Sequence, residues 1–270
     1  MTALTPALLE AARFPELDLP APPEGYPFQI RKGDGYQVGF TPGTTYAMVW
    51  VRGLAEDRLE SCVAEVRAMI AAEGFSRAAW VVSEAAEPPG VVARLAECGL
   101  VPWEREAEGF GPRFRSMVLV SPPAPAPEGV VGRQVETVDE FVAGVAVAND
   151  AFDMSERDRK VFAERQAEYW DWQQRYPNFK SFVAVVGEEI VGSASLIFGA
   201  NAAFMVGGSV RADSRGRGAY RALVRARWDA AVERGTPALT VSAGAMSGPV
   251  LDRLGFTTVC WGDVLCDVLE

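Results

Sequence analysis

The chain has 270 residues, 49% of them hydrophobic, with a formal charge of −10 and a pI near 4.8. That length and apolar content suffice for two domains with cores of their own. The acidic balance excludes a surface that attracts nucleic acid or anionic lipid over its whole extent, so any anionic ligand must be held by a local basic cluster.

The chain contains no histidine, and Cys62, Cys98, Cys260 and Cys266 form no CxxC pair. The usual zinc ligand sets are therefore missing, no metal is expected, and free thiols in a reducing cytoplasm are the simplest reading. The N-terminus has no basic segment leading into a long apolar run, and no apolar stretch reaches about 18 residues. A soluble, cytoplasmic protein with no membrane and no nucleic-acid partner is expected.

Taken in chain order, the proline-rich stretch Pro15 to Pro27 reads as an irregular arm. Tyr46 to Val51 is predicted as strand, Arg58 to Glu73 as a helix ended by Gly74, Ala78 to Val82 as strand, Gly90 to Glu97 as helix, and Ser116 to Val120 as strand. Ser121 to Gly129 (SPPAPAPEG) then alternates proline with small residues, which favours an extended spacer. Domains are accordingly expected at 1–122 and 130–270, joined by a linker at 123–129.

After the linker, Val130 to Val135 is predicted as a short strand, followed by helices over Thr137 to Met154 and Ser155 to Tyr176. Thr137 with Glu140 fits a capping box. Ser181 to Val186 and Ile190 to Phe198 are apolar runs around Gly187-Glu188-Glu189, the pattern of a tight hairpin. Ala202 to Val210 is predicted as strand, and Ala219 to Arg234 as an amphipathic helix that stops at Gly235 with Pro237 beyond. Ala238 to Ser242 as strand, Gly248 to Leu254 as short helix, and Phe256 to Cys260 with Val264 to Leu269 as a closing strand pair complete the series. The first half echoes it: AEVRAMIAAEG (Ala64 to Gly74) parallels RARWDAAVERG (Arg225 to Gly235), and ARLAECGL (Ala93 to Leu100) parallels LDRLGF (Leu251 to Phe256).

Ser214 to Tyr220 (SRGRGAY) lies between a predicted strand and a predicted helix, where free backbone N–H groups and the helix dipole attract phosphate. Gly216 and Gly218 can take backbone angles closed to other residues, and Arg215 and Arg217 add charge and directional donors. An ordinary connection with surface arginines would read the same in isolation. The longer segment VRADSRGRGAYRAL (Val210 to Leu223) resembles the acyl-coenzyme A binding motif of the GNAT N-acyltransferase superfamily, R-G-x-G-x-G/A after a strand. The resemblance extends over Val130 to Glu270 through the element order, the EEIVG hairpin and the terminal RLGF, and more faintly to the first half.

What the resemblance implies is an α/β protein of two GNAT-like domains, each a mixed, mostly antiparallel sheet flanked by helices. It implies acetyl-coenzyme A or another acyl-coenzyme A as co-substrate. The pantetheine arm would meet backbone groups near Ser209 and Val210, and the pyrophosphate the amides of Arg215, Gly216, Arg217, Gly218, Ala219 and Tyr220. Tyr220 departs from the motif, since a small residue is expected there and its bulk must point away from the cofactor. The matching junction of the first half, Val51 to Leu59 (VRGLAEDRL), carries acidic residues that would repel phosphate, so that half reads as a degenerate repeat without a cofactor site.

The family's usual proton-transfer residues are a glutamate on the strand before the turn and a tyrosine in the helix before the GF pair. Here the strand reads AFMVGGSV, and Leu251 stands where the tyrosine would. Ser247, in the loop before the last helix, is a candidate proton donor and equally a helix cap. Asp150 and Asp153, at the end of the first helix of the second domain, are candidates to orient an amine or take its proton, and equally solvated loop carboxylates. Tyr169, Trp170, Trp172, Tyr176 and Phe179 form an aromatic cluster suited either to core packing or to an acceptor pocket. The expected activity is direct transfer of an acyl group to the amine of a small molecule. The alternatives are an acyl-coenzyme A sensor or scaffold without turnover, and an acyltransferase working with a carrier protein.

Overall fold

A computed structural model describes residues 4–15, 29–40, 46–104 and 111–269. The first half contains α1 (Pro6–Arg13), β1 (Gln29–Lys32), β2 (Tyr36–Phe40), β3 (Ala47–Gly53), α2 (Leu59–Ala72), β4 (Arg77–Glu87), α3 (Val91–Glu97), β5 (Val101–Pro102) and β6 (Arg113–Leu119). The second contains β7 (Val130–Gln134), α4 (Val138–Ala151), α5 (Glu156–Arg175), β8 (Phe179–Val186), β9 (Glu189–Phe198), β10 (Ala203–Val210), α6 (Ala219–Glu233), β11 (Leu239–Ala243), α7 (Gly248–Arg253) and β12 (Thr257–Val268).

Local sequence explains most of these boundaries. Thr137 caps α4, its Oγ1 accepting the Glu140 amide at 3.2 Å, while the Glu140 carboxylate accepts the Glu136 amide at 2.9 Å. The Arg133 guanidinium, with the Glu136 and Thr137 amides, holds the Glu140 carboxyl down at about 2. Gly187 takes a φ of 63° in the β8–β9 turn, as a tight hairpin requires. Residues 122–127 form neither helix nor strand.

Beside the short β5, two features near the start of the chain were not anticipated from the sequence. Helix α1 begins at Pro6 behind Thr5, whose Oγ1 accepts the Leu8 amide at 3.2 Å, and β1 and β2 form a hairpin turned at Asp34-Gly35. Both start signals are short and border the proline-rich stretch, which beyond Pro15 lies outside the described residues.

The strands join into one 12-stranded sheet in the order β1-β2-β3-β4-β12-β6-β11-β10-β9-β8-β7, with β5 pairing β12. This corrects the expected closing pair over Phe256–Cys260 and Val264–Leu269. β12 is a single strand that runs on β6 from Thr257 to Asp263 and on β4 from Gly262 to Val268. Gly262 does not turn the chain. A Cβ there would stand 2.2 Å from the Phe114 ring and 2.7 Å from the Val82 carbonyl oxygen, so the glycine permits close approach of three strands.

The two halves thereby exchange their last strands. β6 supplies Met117 and Leu119 to the core beneath α6 and α7, and β12 supplies Leu265 to the core beneath α2 and α3. Ion pairs cross in both directions. Arg115 of β6 binds Asp252 of α7 through two nitrogens at 3.1 and 3.0 Å. Arg67 of α2 binds the fully buried Asp267 of β12 at 2.8 to 3.1 Å. A buried carboxylate needs such a partner, because stripping it from water uncompensated costs several kcal/mol.

Candidate functional site

Helix α6 packs on one face of the sheet, and its approach is set by the strands beneath it. β10 pairs with β11 in parallel only at Ala203↔Leu239 and Phe204↔Thr240, after which the two part, while β11 stays paired with β6 from Leu239 to Ala243. β10 is also broken on its other side. Its pairing with β9 shifts between Val206 and Ser209, which leaves Gly207 and Gly208 as a bulge, Gly207 with a φ of 59°.

The basic turn sits at the end of the parted strand. A 3₁₀ turn over Ala212–Ser214 leads into Gly216 and Gly218, whose φ values of 76° and 91° are ones that glycine adopts without strain. Gly218 is the N-cap of α6 and supplies no side-chain acceptor. Among the described residues, the amides from Gly216 to Arg221 find no internal acceptor, so the helix start is open for an anion.

Arginines surround this opening. Arg211 is neutralised by Asp213 at 2.6 Å and Glu189 at 3.3 Å. Arg215 and Arg217 are exposed and in no ion pair among the described residues, Arg215 Nε donating to the Val210 carbonyl at 3.3 Å. Arg221, one turn further on, has a buried Nε without an acceptor. The motif reading did not name it, although its spacing of three from Gly218 places it on the first turn. The Tyr220 ring is turned onto Gly208, where a Cβ would lie 2.9 Å from it, and its amide stays at the helix start. Pro127 of the linker packs on Gly218, leaving only 2.4 Å to a Cβ at that position.

On the opposite face of the sheet, α4 and α5 cover a cavity of about 240 Å³. Phe141, Phe152, Tyr169, Trp172 and Phe179 form its apolar walls, and Gly207 of the bulge is part of its lining. Of the aromatic cluster, Tyr169, Trp172 and Phe179 thus line the cavity, while Trp170 packs on Phe141 and Tyr176 on Trp172. Polar groups are few. Gln173 donates to the Ser181 hydroxyl at 2.7 Å, with Ser193 and Ser195 beside them. Burial pushes the Tyr169 phenol above its ordinary pKa, so it stays protonated at neutral pH.

The candidate proton-transfer residues are less closely gathered. Ser247 follows β11 on the side where the strands part; it is the N-cap of α7 by position but makes no capping bond, its hydroxyl donating to the Gly244 carbonyl at 3.4 Å. Asp150 is bound to Arg159 at 2.6 Å. Asp153 is exposed, with a left-handed φ of 50°, next to the cavity-lining Phe152. Leu251 is fully buried in the core.

Residues 148–256 match the family model described as the acetyltransferase (GNAT) family. This part of the chain is a GNAT domain. The match supports a transferase of the N-acetyltransferase type, and the family that the model describes generally uses acetyl-coenzyme A. Solved structures share the fold over most of the chain, and one of them is described as a tandem GNAT protein. A GCN5-related N-acetyltransferase from Kribbella flavida is 17% identical over 89% of this chain and 89% of its own, with a TM-score of 0.63. A tandem GNAT protein from the clavulanic acid biosynthesis pathway is 16% identical over 98% of this chain and 89% of its own, at 0.62. A GCN5-related N-acetyltransferase from Sphaerobacter thermophilus is 18% identical over 91% and 82%, at 0.56. No curated protein gives a significant match.

Neither a group of three or more residues suited to a metal ion nor a helix long and apolar enough to cross a membrane occurs among the described residues. The four cysteines are free thiols.

Proposed function

We propose that the GNAT domain, residues 130–270, transfers an acyl group, in the simplest case acetyl, from its coenzyme A thioester directly to the amine of a small molecule. Residues 1–122 form a supporting half without a cofactor site, and 123–129 link the two. The observation that carries this reading is the conjunction of a parted strand pair with an open, arginine-ringed helix start. The pantetheine arm fits along Ser209 and Val210, and the pyrophosphate against the amides from Arg215 to Tyr220 with the guanidinium groups of Arg215, Arg217 and Arg221.

The cavity under α4 and α5 is the acceptor pocket in this reading. Its walls favour an apolar or aromatic group, with the amine directed to the bulge at Gly207. Asp153 at the rim orients the amine or takes its proton, and Ser247 donates to the departing thiolate, directly or through water. Holding the two reactants together supplies much of the rate even without a strong acid or base.

Buried Leu251, in the place of the usual tyrosine, favours a second reading, an acyl-coenzyme A sensor without turnover. Calorimetry with acetyl-coenzyme A, followed by thiol release on a panel of aryl- and alkylamines with free and carrier-bound donors, separates the two. Binding at one site with amine-dependent thiol release is expected. Binding without release across the panel would favour the sensor, and no binding would remove both.

A further inference from the structure

Arg227 lies in the middle of α6 and is 1% exposed. Among the described residues no carboxylate pairs with it. Its Nε donates to the Leu223 carbonyl at 3.1 Å and its Nη1 to the Ser195 carbonyl at 3.4 Å, while Nη2 finds no acceptor. Burial pushes its pKa down, with the nearby Tyr220 hydroxyl opposing, yet an arginine does not give up its proton in a protein. The chain therefore keeps in its core a cation that no carboxylate neutralises among the described residues, with only carbonyls and the Tyr220 hydroxyl beside it, an arrangement that costs stability.

Its position suggests what the charge is for. Nη2 lies 3.6 Å from the point where a Cβ on Gly208 would stand, directly behind the two-glycine bulge of β10. Gly207 of that bulge and Ser195, whose carbonyl Arg227 grips, both line the cavity on the opposite face. With glycine at both bulge positions, the bulge adds no side chain of its own here, and the Tyr220 ring that packs on Gly208 lies beside the guanidinium.

We infer that Arg227 is an electrostatic support for acyl transfer, acting through the bulge backbone on charge that builds at the thioester. This rests on the acyl-coenzyme A reading above, in which the thioester reaches the bulge. Amine attack forms the C–N bond and moves an electron pair onto the carbonyl oxygen. Collapse breaks the C–S bond, and the amine proton ends on the departing sulfur. Negative charge rests first on oxygen and then on sulfur, and a fixed cation in a water-poor site lowers the energy of both without exchanging a proton. This suits a domain in which the family's glutamate and tyrosine positions are empty.

The experiment compares Arg227→Met and Arg227→Gln with the wild-type protein in thermal unfolding, acetyl-coenzyme A calorimetry and steady-state kinetics. Removing an unpaired buried charge should leave the melting temperature unchanged or raised and cofactor affinity within about twofold, while kcat falls roughly tenfold or more in both variants. A kcat equal to wild type in either variant overturns the inference, and for Gln alone it would assign the role to the Ser195 hydrogen bond. A lowered melting temperature with a loss of activity no greater than the loss of folded protein also overturns it, as a purely structural role. Wild-type protein that does not bind acetyl-coenzyme A overturns the binding reading and this inference together, whereas full turnover in the variants overturns this inference alone.

Discussion

The chain contains two strand-to-helix junctions of the same pedigree, β3 into α2 and β10 into α6, and they differ in two respects. In the first, β3 stays paired with β4 from Ala47↔Ala78 to Val51↔Val82, and the Leu54 amide still donates to the Glu87 carbonyl at 2.8 Å. In the second, β10 leaves β11 after Phe204, and the chain beyond it is tied to β9 instead, the Arg211 amide donating to the Val191 carbonyl at 2.9 Å. The charge differs as well: Glu56, Asp57 and Glu60 stand at the start of α2, against Arg215, Arg217 and Arg221 at α6. The site proposed for coenzyme A combines a helix start with strands parted to admit the pantetheine arm and a surplus of positive charge.

The largest expected effect breaks the contrast at its charged end. Arg215→Glu with Arg217→Glu should weaken acetyl-coenzyme A binding by roughly a hundredfold or more, since two charge-assisted contacts become repulsive. Both side chains are exposed, so the melting temperature should barely move. Unchanged affinity in calorimetry would sink the site.

A smaller effect belongs to the opposite face. Ala148→Phe should fill part of the cavity and raise the apparent KM for bulky apolar amines by about tenfold, leaving acetyl-coenzyme A affinity alone. Equal losses for small and bulky amines would argue against an acceptor pocket there.

The smallest expected effect is none. Placing arginine at Glu56 and glycine at Asp57, in the Arg215→Glu and Arg217→Glu background, should not create cofactor binding, because β3 and β4 remain zipped. Binding restored in calorimetry would mean that charge alone separates the two halves.

Much of this was legible in the residues. SRGRGAY pointed to a candidate anion turn through its place between a strand and a helix within a longer pattern, and both glycines take the left-handed angles expected of them. The hairpin at Gly187, the α4 cap and the stop of α6 at Gly235 follow from chemistry within a few residues. The α1 cap at Thr5-Pro6 and the Asp34-Gly35 turn carried similar local signals, but these were short and lay beside a proline-rich stretch that masked them.

What the sequence determined by itself was therefore local: element types, the turn, and the absence of the usual proton-transfer residues. Only the tertiary structure decided that β6 and β12 change places, that β10 parts from β11, and that Arg227 lies unpaired behind two glycines. Each of these depends on which distant strand lies alongside. Gly262 reads as a break in the sequence but serves as a close contact with Phe114 and Val82, because the space around a residue is set by neighbours far away in the chain.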